Sequence, residues 1–192
     1  MSVLTPGRNL VLIGLMGSGK TTVGKTLAER LDRPLVDTDE VVEQEAGKTI
    51  PEIFASEGER AFRRHESLAI RTVTALRGQV ISVGGGAVLD PGNVTQLRMT
   101  GDIVLLEAPA EVLSERLDET GTSDRPLLAA AETGEELTAR LGELLAERRS
   151  DYERAASYIV ETAGRAPDDI AAEILEWAGT RPGLLARDEV AR

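Results

Sequence analysis

The sequence of 192 residues contains no cysteine, which excludes disulfide bonds and metal sites built from thiolates. Aromatic residues make up only 3%, so aliphatic side chains must form most of the core, and the 41% of hydrophobic residues is enough for one domain of this length. No apolar run approaches the roughly 20 residues of a membrane-spanning helix. The first residues also lack the pattern of a signal peptide, so we expect a cytoplasmic protein without a membrane partner.

Lysine is scarce as well, and occurs only as Lys20, Lys25 and Lys48. The formal net charge is −11, which argues against nucleic acid as a partner. Apart from a single histidine, the other basic residues are all arginines. An arginine inside an otherwise small or apolar motif therefore needs its own explanation.

Short apolar runs alternate with segments of helical periodicity along the chain. The runs predict strands at residues 9–13, 34–39, 79–83, 102–108 and 157–161. Because several of them are continuously apolar, they favour a parallel sheet that helices cover on both faces, which is an α/β fold of three layers. Ligands bind such sheets at the carboxyl ends of the strands, so the residues directly after each run are the candidates for a site.

The segment GLMGSGKT, residues 14–21, follows the first predicted strand and precedes a predicted helix. It fits the pattern G-x-x-x-x-G-K-[ST], with Gly14, Gly19, Lys20 and Thr21 at the fixed positions. Glycines let backbone N–H groups surround phosphate oxygens, the lysine reaches the β- and γ-phosphates, and the threonine hydroxyl can bind Mg²⁺. A dinucleotide-binding loop would need a further glycine where Thr22 stands. The loop therefore predicts binding of a nucleoside triphosphate.

Two aspartates, Asp37 and Asp39, end the second predicted strand. On an extended chain both side chains point the same way, and Thr38 points the opposite way. A carboxylate beside a phosphate-binding loop can hold Mg²⁺ through water or accept a hydrogen bond from an attacking hydroxyl. An aspartate before a helix is also a common N-cap, and the pair alone leaves these roles open.

Arginines and a triple glycine form the rest of the candidate site. Arg63 lies on a predicted long helix, where an arginine is most often solvated but can also hold a carboxylate through two parallel hydrogen bonds. The glycines at 84–86 follow the third predicted strand and would let a ligand hydroxyl approach bare backbone. Arg125 follows a polar loop, in a segment typical of a hinged flap, and Arg148 or Arg149 lies late in another predicted helix.

These motifs, in this order, resemble the shikimate kinase family over residues 8–177. The resemblance is carried by the stretches GLMGSGKTTVGKTLAERL, PLVDTDEVVE, IPEIFASEGERAFRRHE, VISVGGGAV, SDRPLL and RRSDYERAA. It implies a nucleoside-monophosphate-kinase-like fold with a five-stranded parallel sheet, substrate-binding helices and a mobile lid at about residues 119–133. We expect a single P-loop kinase domain at residues 1–178, a flexible tail at residues 179–192 and a monomer.

The resemblance further implies transfer of the γ-phosphate of ATP to the 3-hydroxyl of shikimate, in the pathway to chorismate and the aromatic amino acids, with Mg²⁺ as cofactor. The residues that would bind the nucleotide are Gly17, Ser18, Gly19, Lys20, Thr21, Thr22, Arg116 and Arg125. The residues that would bind shikimate are Asp39, Arg63, Gly84, Gly85, Gly86 and Arg148. The catalytic residues would be Lys20, Asp39 and Arg125, and Mg²⁺ would bind Thr21 directly and Asp37 through water.

Two other functions remain open at this stage. A kinase of another small metabolite, such as gluconate or a nucleoside monophosphate, would also use the phosphate-binding loop, and gluconate carries a carboxylate that Arg63 could hold. A regulatory nucleotide-binding protein without catalysis would need the loop alone. The presence of Lys20, Asp37, Asp39 and Arg125 together argues against this second alternative.

Overall fold

The computed structural model of the protein describes residues 7–120, 133–186 and 189. Within these residues, five parallel strands form one sheet, in the order β2-β3-β1-β4-β5. Their bounds are β1 Asn9–Ile13, β2 Leu35–Asp37, β3 Val80–Ser82, β4 Gly101–Glu107 and β5 Tyr158–Glu161. The segment from 121 to 132, which contains Arg125 and most of the expected lid, lies outside the described residues.

Helices connect the strands and cover the sheet. Their bounds are α1 Lys20–Leu31, α2 Thr38–Ala46, α3 Ile50–Glu57, α4 Glu59–Thr74, α5 Pro91–Thr100, α6 Ala110–Thr120, α7 Gly134–Ala155 and α8 Pro167–Gly179, with a short 3-10 helix at Ala87–Leu89. None of the helices in the described ranges is both long and apolar enough to span a membrane.

Strand β1 lies at the centre of the sheet and is buried on both faces. Leu10 and Leu12 pack on one side with residues of α1 and α8, whereas Val11 and Ile13 pack on the other side with residues of α4 and α5. All four side chains are at most 1% exposed. The predicted α/β fold of three layers with a five-stranded parallel sheet is confirmed.

The parallel pairing brings the carboxyl ends of neighbouring strands to one edge. Asp37, the last residue of β2, pairs with Ser82, the last residue of β3. Ile13, the last residue of β1, pairs with Leu105 of β4. The segments that follow β1, β2 and β3 therefore start next to one another, although about 70 residues of chain separate the first from the third.

Helix α5 and the 3-10 helix before it had no counterpart in the sequence-based prediction. The start of α5 carries ordinary signals, because Asp90 caps it by accepting a hydrogen bond from the N–H of Gly92 at 2.7 Å, and Pro91 occupies its first turn. The rest of the helix has a weak apolar pattern, and only Asn93 and Leu97 are buried. The tertiary contacts of α5 with α4 and β4 stabilise it more than its own periodicity does.

The described part of the C-terminal segment packs against the amino edge of the sheet. Leu184 is fully buried in the same core as Leu10. Arg33 donates hydrogen bonds to the carbonyl oxygen of Leu184 at 2.8 Å and to Glu189 at 2.6 and 2.7 Å. These contacts involve the described residues of the tail expected at 179–192, and the flexibility of that tail stays a prediction. The ion pair joins residues 156 positions apart in sequence, and no local pattern reveals such a contact.

Candidate active site

The phosphate-binding loop connects β1 to α1 in a conformation that requires its glycines. Gly14, Gly17 and Gly19 have φ angles of 144°, 79° and 94°, which other residues rarely adopt. Lys20 folds back over the loop and donates hydrogen bonds to the carbonyl oxygens of Gly14 at 2.9 Å and Leu15 at 3.1 Å. The ammonium group is thus held beside the loop, where a phosphate would meet it together with the amino end of α1.

Ser18 differs from its neighbours in the loop because its side chain points away from solvent. The residue is 1% exposed, and its hydroxyl has no hydrogen-bond partner among the described residues. Its backbone N–H donates to the carbonyl oxygen of Leu15 at 3.2 Å. Any contact of Ser18 with a nucleotide would therefore involve its backbone and not its side chain.

Asp37 and Asp39 do not lie on one extended strand, so the predicted extended chain through Asp39 is wrong. Strand β2 ends at Asp37, and α2 begins at Thr38. Asp37 is the N-cap of α2 and accepts a hydrogen bond from the N–H of Asp39 at 3.0 Å. It also accepts one from the hydroxyl of Thr21 at 3.4 Å. The N-cap alternative for Asp37 is confirmed, and the same carboxylate also contacts the end of the phosphate-binding loop.

The glycines at 84–86 form a wall of bare backbone between the aspartate and the arginine of the predicted site. A Cβ atom on Gly84 would lie 2.5 Å from Oδ1 of Asp39. A Cβ atom on Gly86 would collide with the guanidinium of Arg63. A side chain at either position would displace the carboxylate or the guanidinium, and the missing atoms leave space that these two groups line. We call residues 84–86 the glycine wall.

Arg63 is fixed in the cavity by two carboxylates of its own helix, α4. Its Nη1 donates to Glu66 at 2.9 Å and its Nη2 donates to Glu59 at 3.1 Å. Its Cζ atom also lies 5.2 Å from the centre of the Phe62 ring, within the range of a cation–π contact. The guanidinium is therefore held in place before any substrate carboxylate arrives.

Glu66 is a carboxylic acid that is almost completely buried in the site. The residue is 1% exposed, and burial raises the pKa of its carboxyl from 4.5 to about 7. The positive charges of Arg63 and Arg148 lower this pKa, and the negative charge of Asp39 raises it, but burial has the largest effect. Strongly shifted groups of this kind are concentrated at functional sites.

Arg148 reaches the glycine wall from α7, on the opposite side of the cavity. It is 6% exposed, and its Nη1 donates to the carbonyl oxygen of Gly85 at 3.4 Å. The side chain of Arg149 is instead 74% exposed and pairs with Glu153 at 2.8 Å. Of these two neighbouring arginines, it is thus Arg148 that lines a common cavity with Arg63.

Arg116 lies on the nucleotide side of the cavity. It donates to the carbonyl oxygen of Gly17 at 3.3 Å and to the hydroxyl and carbonyl oxygens of Thr162 at 3.0 and 2.7 Å. It lines the cavity together with Arg165 and Pro167, at the end away from the glycine wall. Its contact with the nucleotide stays a prediction, and so does the role of Arg125, which lies outside the described residues.

One cavity of about 920 Å³ connects these groups. Its lining includes the predicted site residues that the structure describes, namely Gly17, Ser18, Gly19, Lys20, Thr21, Thr22, Asp37, Asp39, Arg63, Gly84, Gly85, Gly86, Arg116 and Arg148. This volume is at the upper end of the range for small-molecule sites and is suited to two ligands side by side.

The groups around Thr21 fit a magnesium ion that is bound together with a phosphate. No cluster of three or more acidic or histidine side chains that could hold a metal alone occurs in the part of the chain that the structure describes. Mg²⁺ is usually held by one or two protein oxygens, with water and substrate phosphates as its other ligands. The hydroxyl of Thr21 and the carboxylate of Asp37, 3.4 Å apart, are oxygens of this kind.

Three side chains that were not among the predicted site residues contact the site. Glu66 accepts from Arg63 at 2.9 Å, Thr38 accepts from the N–H of Gly84 at 2.9 Å, and Tyr152 donates to the carbonyl oxygen of Gly85 at 2.5 Å. Glu66 follows Arg63 by three residues and Tyr152 follows Arg148 by four, which is the spacing of neighbours on one helix face. That spacing was the available signal, but it does not reveal that these faces are buried.

Comparison with known proteins agrees with this geometry. The family model for shikimate kinase matches residues 16–178. A shikimate kinase from Symbiobacterium thermophilum is 48% identical over 168 residues, which cover 88% of this chain and 94% of that protein. The structure of shikimate kinase from Acinetobacter baumannii in complex with shikimate is 37% identical, has a TM-score of 0.82, and the match covers 88% of this chain and 92% of that one.

A gluconokinase from Sinorhizobium meliloti has a TM-score of 0.54 at 20% identity, over 88% of this chain and 89% of that one, and this shows a similar fold alone. The family model, by contrast, covers the phosphate-binding loop from Met16 onward, the glycine wall and both arginines of the cavity. The chain therefore belongs to the shikimate kinase family.

Proposed function

We propose that this kinase transfers the γ-phosphate of ATP to the 3-hydroxyl of shikimate, giving shikimate 3-phosphate and ADP, with Mg²⁺ as cofactor. The observation that carries the proposal is the composition of the cavity of about 920 Å³. One end is a phosphate-binding loop with Lys20 in place, and the other end is a bare glycine wall between Asp39, the half-buried Arg63 and the buried Arg148.

The acceptor end has the chemistry that a small polyhydroxy acid requires. Arg63 and Arg148 approach from two different helices and can both bind one carboxylate, which guanidinium groups prefer as a partner. The glycine wall offers backbone N–H groups to ring hydroxyls at short range. Asp39 stands beside Gly84 as the carboxylate that can accept a hydrogen bond from the hydroxyl that attacks.

Catalysis would rest on position and charge, because phosphoryl transfer leaves little covalent chemistry for the protein. Lys20 would stabilise negative charge on the transferred group, and Asp39 would orient the 3-hydroxyl in line with it. Thr21 and, through water, Asp37 would hold Mg²⁺, which neutralises charge on the β- and γ-phosphates when bound. Arg125, from the expected lid at about residues 119–133, would add a further cation on closure.

The test is ADP release by the purified protein with Mg-ATP and one acceptor at a time: shikimate, gluconate or a nucleoside monophosphate. We expect turnover with shikimate, and a value of kcat/KM for it that exceeds the other two by orders of magnitude. Turnover only with gluconate or a nucleotide would replace the proposed acceptor. Binding of ATP without turnover on any acceptor would favour the regulatory alternative.

The remaining expectations stay predictions of the same proposal. They are a single domain at residues 1–178, a monomer, and a location in the cytoplasm without nucleic-acid or membrane partners. Light scattering coupled to size exclusion tests the monomer directly. If the protein is a dimer that keeps its turnover after dissociation, the predicted monomer is wrong and the proposed site is unaffected.

A further inference from the structure

We propose that Tyr152 is a positioning residue for the acceptor: from behind the glycine wall, its hydroxyl fixes the peptide between Gly85 and Gly86 so that the N–H of Gly86 faces the bound ring. The inference rests on the proposed function, because it assigns a ligand group to that N–H. It adds a residue to the acceptor site that does not itself touch the substrate.

The hydroxyl of Tyr152 donates to the carbonyl oxygen of Gly85 at 2.5 Å. Tyr152 is 3% exposed and packs in the core between α7 and the sheet, so its ring has one fixed position. Burial raises the pKa of Tyr152 to about 12, and the hydroxyl therefore keeps its proton at any pH at which the enzyme works. The hydroxyl of Tyr152 therefore stays in one position and stays protonated.

The direction of this hydrogen bond determines where the next N–H points. In a planar trans peptide, the carbonyl of one residue and the N–H of the following residue point in opposite directions. Gly85 and Gly86 line the large cavity, whereas Tyr152 lies outside its lining, on the far side of the wall. Tyr152 and Arg148, both on α7, donate to the carbonyl oxygen of Gly85. Because that oxygen points toward α7, the N–H of Gly86 points away from α7 and toward the cavity.

Such a peptide needs an external restraint. Glycine occupies both halves of φ space with similar ease, so a peptide between two glycines can flip at low cost. A flipped peptide would present a carbonyl oxygen to the substrate and leave no donor for a ring hydroxyl at that point.

The rest of the wall is restrained in the same way by other elements. The N–H of Gly84 donates to the hydroxyl of Thr38 at 2.9 Å. The carbonyl oxygen of Gly84 accepts from the N–H of Ala87 at 3.1 Å, which points the N–H of Gly85 away from that turn. Among the described residues, the N–H groups of Gly85 and Gly86 have no acceptor. Two adjacent donors are thus held ready for a ligand. Tyr152 makes the shorter of the two hydrogen bonds that orient the second donor, and Arg148 makes the longer one.

The test compares Tyr152→Phe with Tyr158→Phe. Both changes remove one phenolic hydroxyl and keep the ring, and Tyr158 donates to Glu173 at 3.0 Å, away from the cavity. For Tyr152→Phe we expect the KM and the calorimetric Kd for shikimate to rise about 3- to 10-fold, the effect of losing one neutral hydrogen bond, while the Kd for ATP is unchanged. Tyr158→Phe should leave all three constants unchanged.

Shikimate analogues that lack the 4- or the 5-hydroxyl separate positioning from a general structural role. In the wild type, removal of the hydroxyl that meets Gly86 should cost affinity, and in Tyr152→Phe the same removal should cost several-fold less, because the donor is no longer aligned. If both proteins discriminate equally against both analogues, or if Tyr152→Phe only lowers the unfolding temperature, the inference is overturned.

A measurement on the unmodified protein covers the case in which Tyr152→Phe does not fold. In a ¹⁵N-labelled sample, saturation with shikimate should shift the amide resonance of Gly86 strongly and that of Tyr158 very little. A Gly86 resonance that does not move would refute the inference. If the wild type neither binds nor phosphorylates shikimate, the proposed function fails, and the role of Tyr152 fails with it.

Discussion

Replacing Glu66 with glutamine should stabilise the protein at neutral pH and weaken the acceptor site at the same time. The carboxyl of Glu66 is 1% exposed, and burial raises its pKa from 4.5 to about 7, with a smaller contribution in the same direction from Asp39. Arg63 and Arg148 lower the pKa but do not outweigh burial. The fold therefore favours the protonated, neutral form, which glutamine imitates.

The size and sign of the effect follow from linkage. A rise of the pKa from 4.5 to about 7 corresponds to about 3 kcal/mol, and water screens little of this because the side chain is buried. Because the pKa is higher in the folded state, the wild type has this contribution in full below pH 4.5 and loses it as the pH rises through about 7. Glutamine does not titrate, so the variant keeps its stability over the same interval.

The assay is urea unfolding of the wild type and of Glu66→Gln at intervals from about pH 4 to pH 8.5, spanning both pKa values. The difference in the free energy of unfolding should be constant below pH 4.5 and should grow by about 3 kcal/mol in favour of the variant by pH 8. Other titrating groups are common to both proteins and cancel. A difference that does not change with pH would refute the reasoning about burial.

Glu59→Gln is the matched control, because it removes the other carboxylate on Arg63 at a position whose side chain is 60% exposed. It should change stability by less than about 1 kcal/mol. In Glu66→Gln the KM for shikimate should rise above about pH 7 in spite of the added stability, because Arg63 then loses the ionised carboxylate that holds it in the cavity. If KM stayed constant, Glu66 would serve another purpose than holding Arg63.

Three further predictions concern the two ends of the cavity. Lys20→Ala should abolish turnover while the circular dichroism spectrum stays native, because the ammonium lies beside the loop and not in the core. Full activity of this variant would refute the assignment of the phosphate-binding loop. Asp39→Asn should lower kcat about 100-fold, more than it raises the KM for shikimate, in steady-state kinetics; an unchanged kcat would leave Asp39 without a catalytic role. Arg148→Ala should weaken shikimate binding about 10- to 150-fold in calorimetry, and Arg149→Ala, its exposed neighbour, should not; equal losses would contradict the placement of Arg148.

The nucleotide end of the site could be predicted from the sequence because its signals are local. The pattern from Gly14 to Thr21 specifies the conformation of the loop itself, and the strand before it and the helix after it are readable from short apolar and helical patterns. The glycines have the positive φ angles that the pattern requires, and Lys20 lies over the loop.

The sequence predicted which residues line the acceptor end of the cavity, but not how they are arranged. The reasoning for Asp37 and Asp39 assumed an extended chain, whereas the N-cap at Asp37 starts α2 one residue later and puts Asp39 in its first turn. Glu66 was missed because a carboxylate in a polar stretch of a helix, here between His65 and Ser67, is usually solvated. Its burial follows from the packing of α4 against α2 and the glycine wall, and such packing joins segments that sequence patterns describe one at a time.

Charged side chains have different roles at the two edges of the sheet. At one edge they stabilise the fold, and at the other they line the site. At the amino edge, Asp102 accepts from Arg8 at 2.9 Å and from Arg181 at 3.1 Å, and Arg33 pairs with Glu189, so these charged groups have partners within the protein. At the carboxyl edge, by contrast, burial of Glu66 costs stability, and the arginines around it face a cavity. The burial of Glu66 lowers the stability of the fold, and ion pairs and apolar packing elsewhere compensate for this loss. The acceptor site can therefore keep its charged groups in place for a ligand, although this lowers the free energy of unfolding.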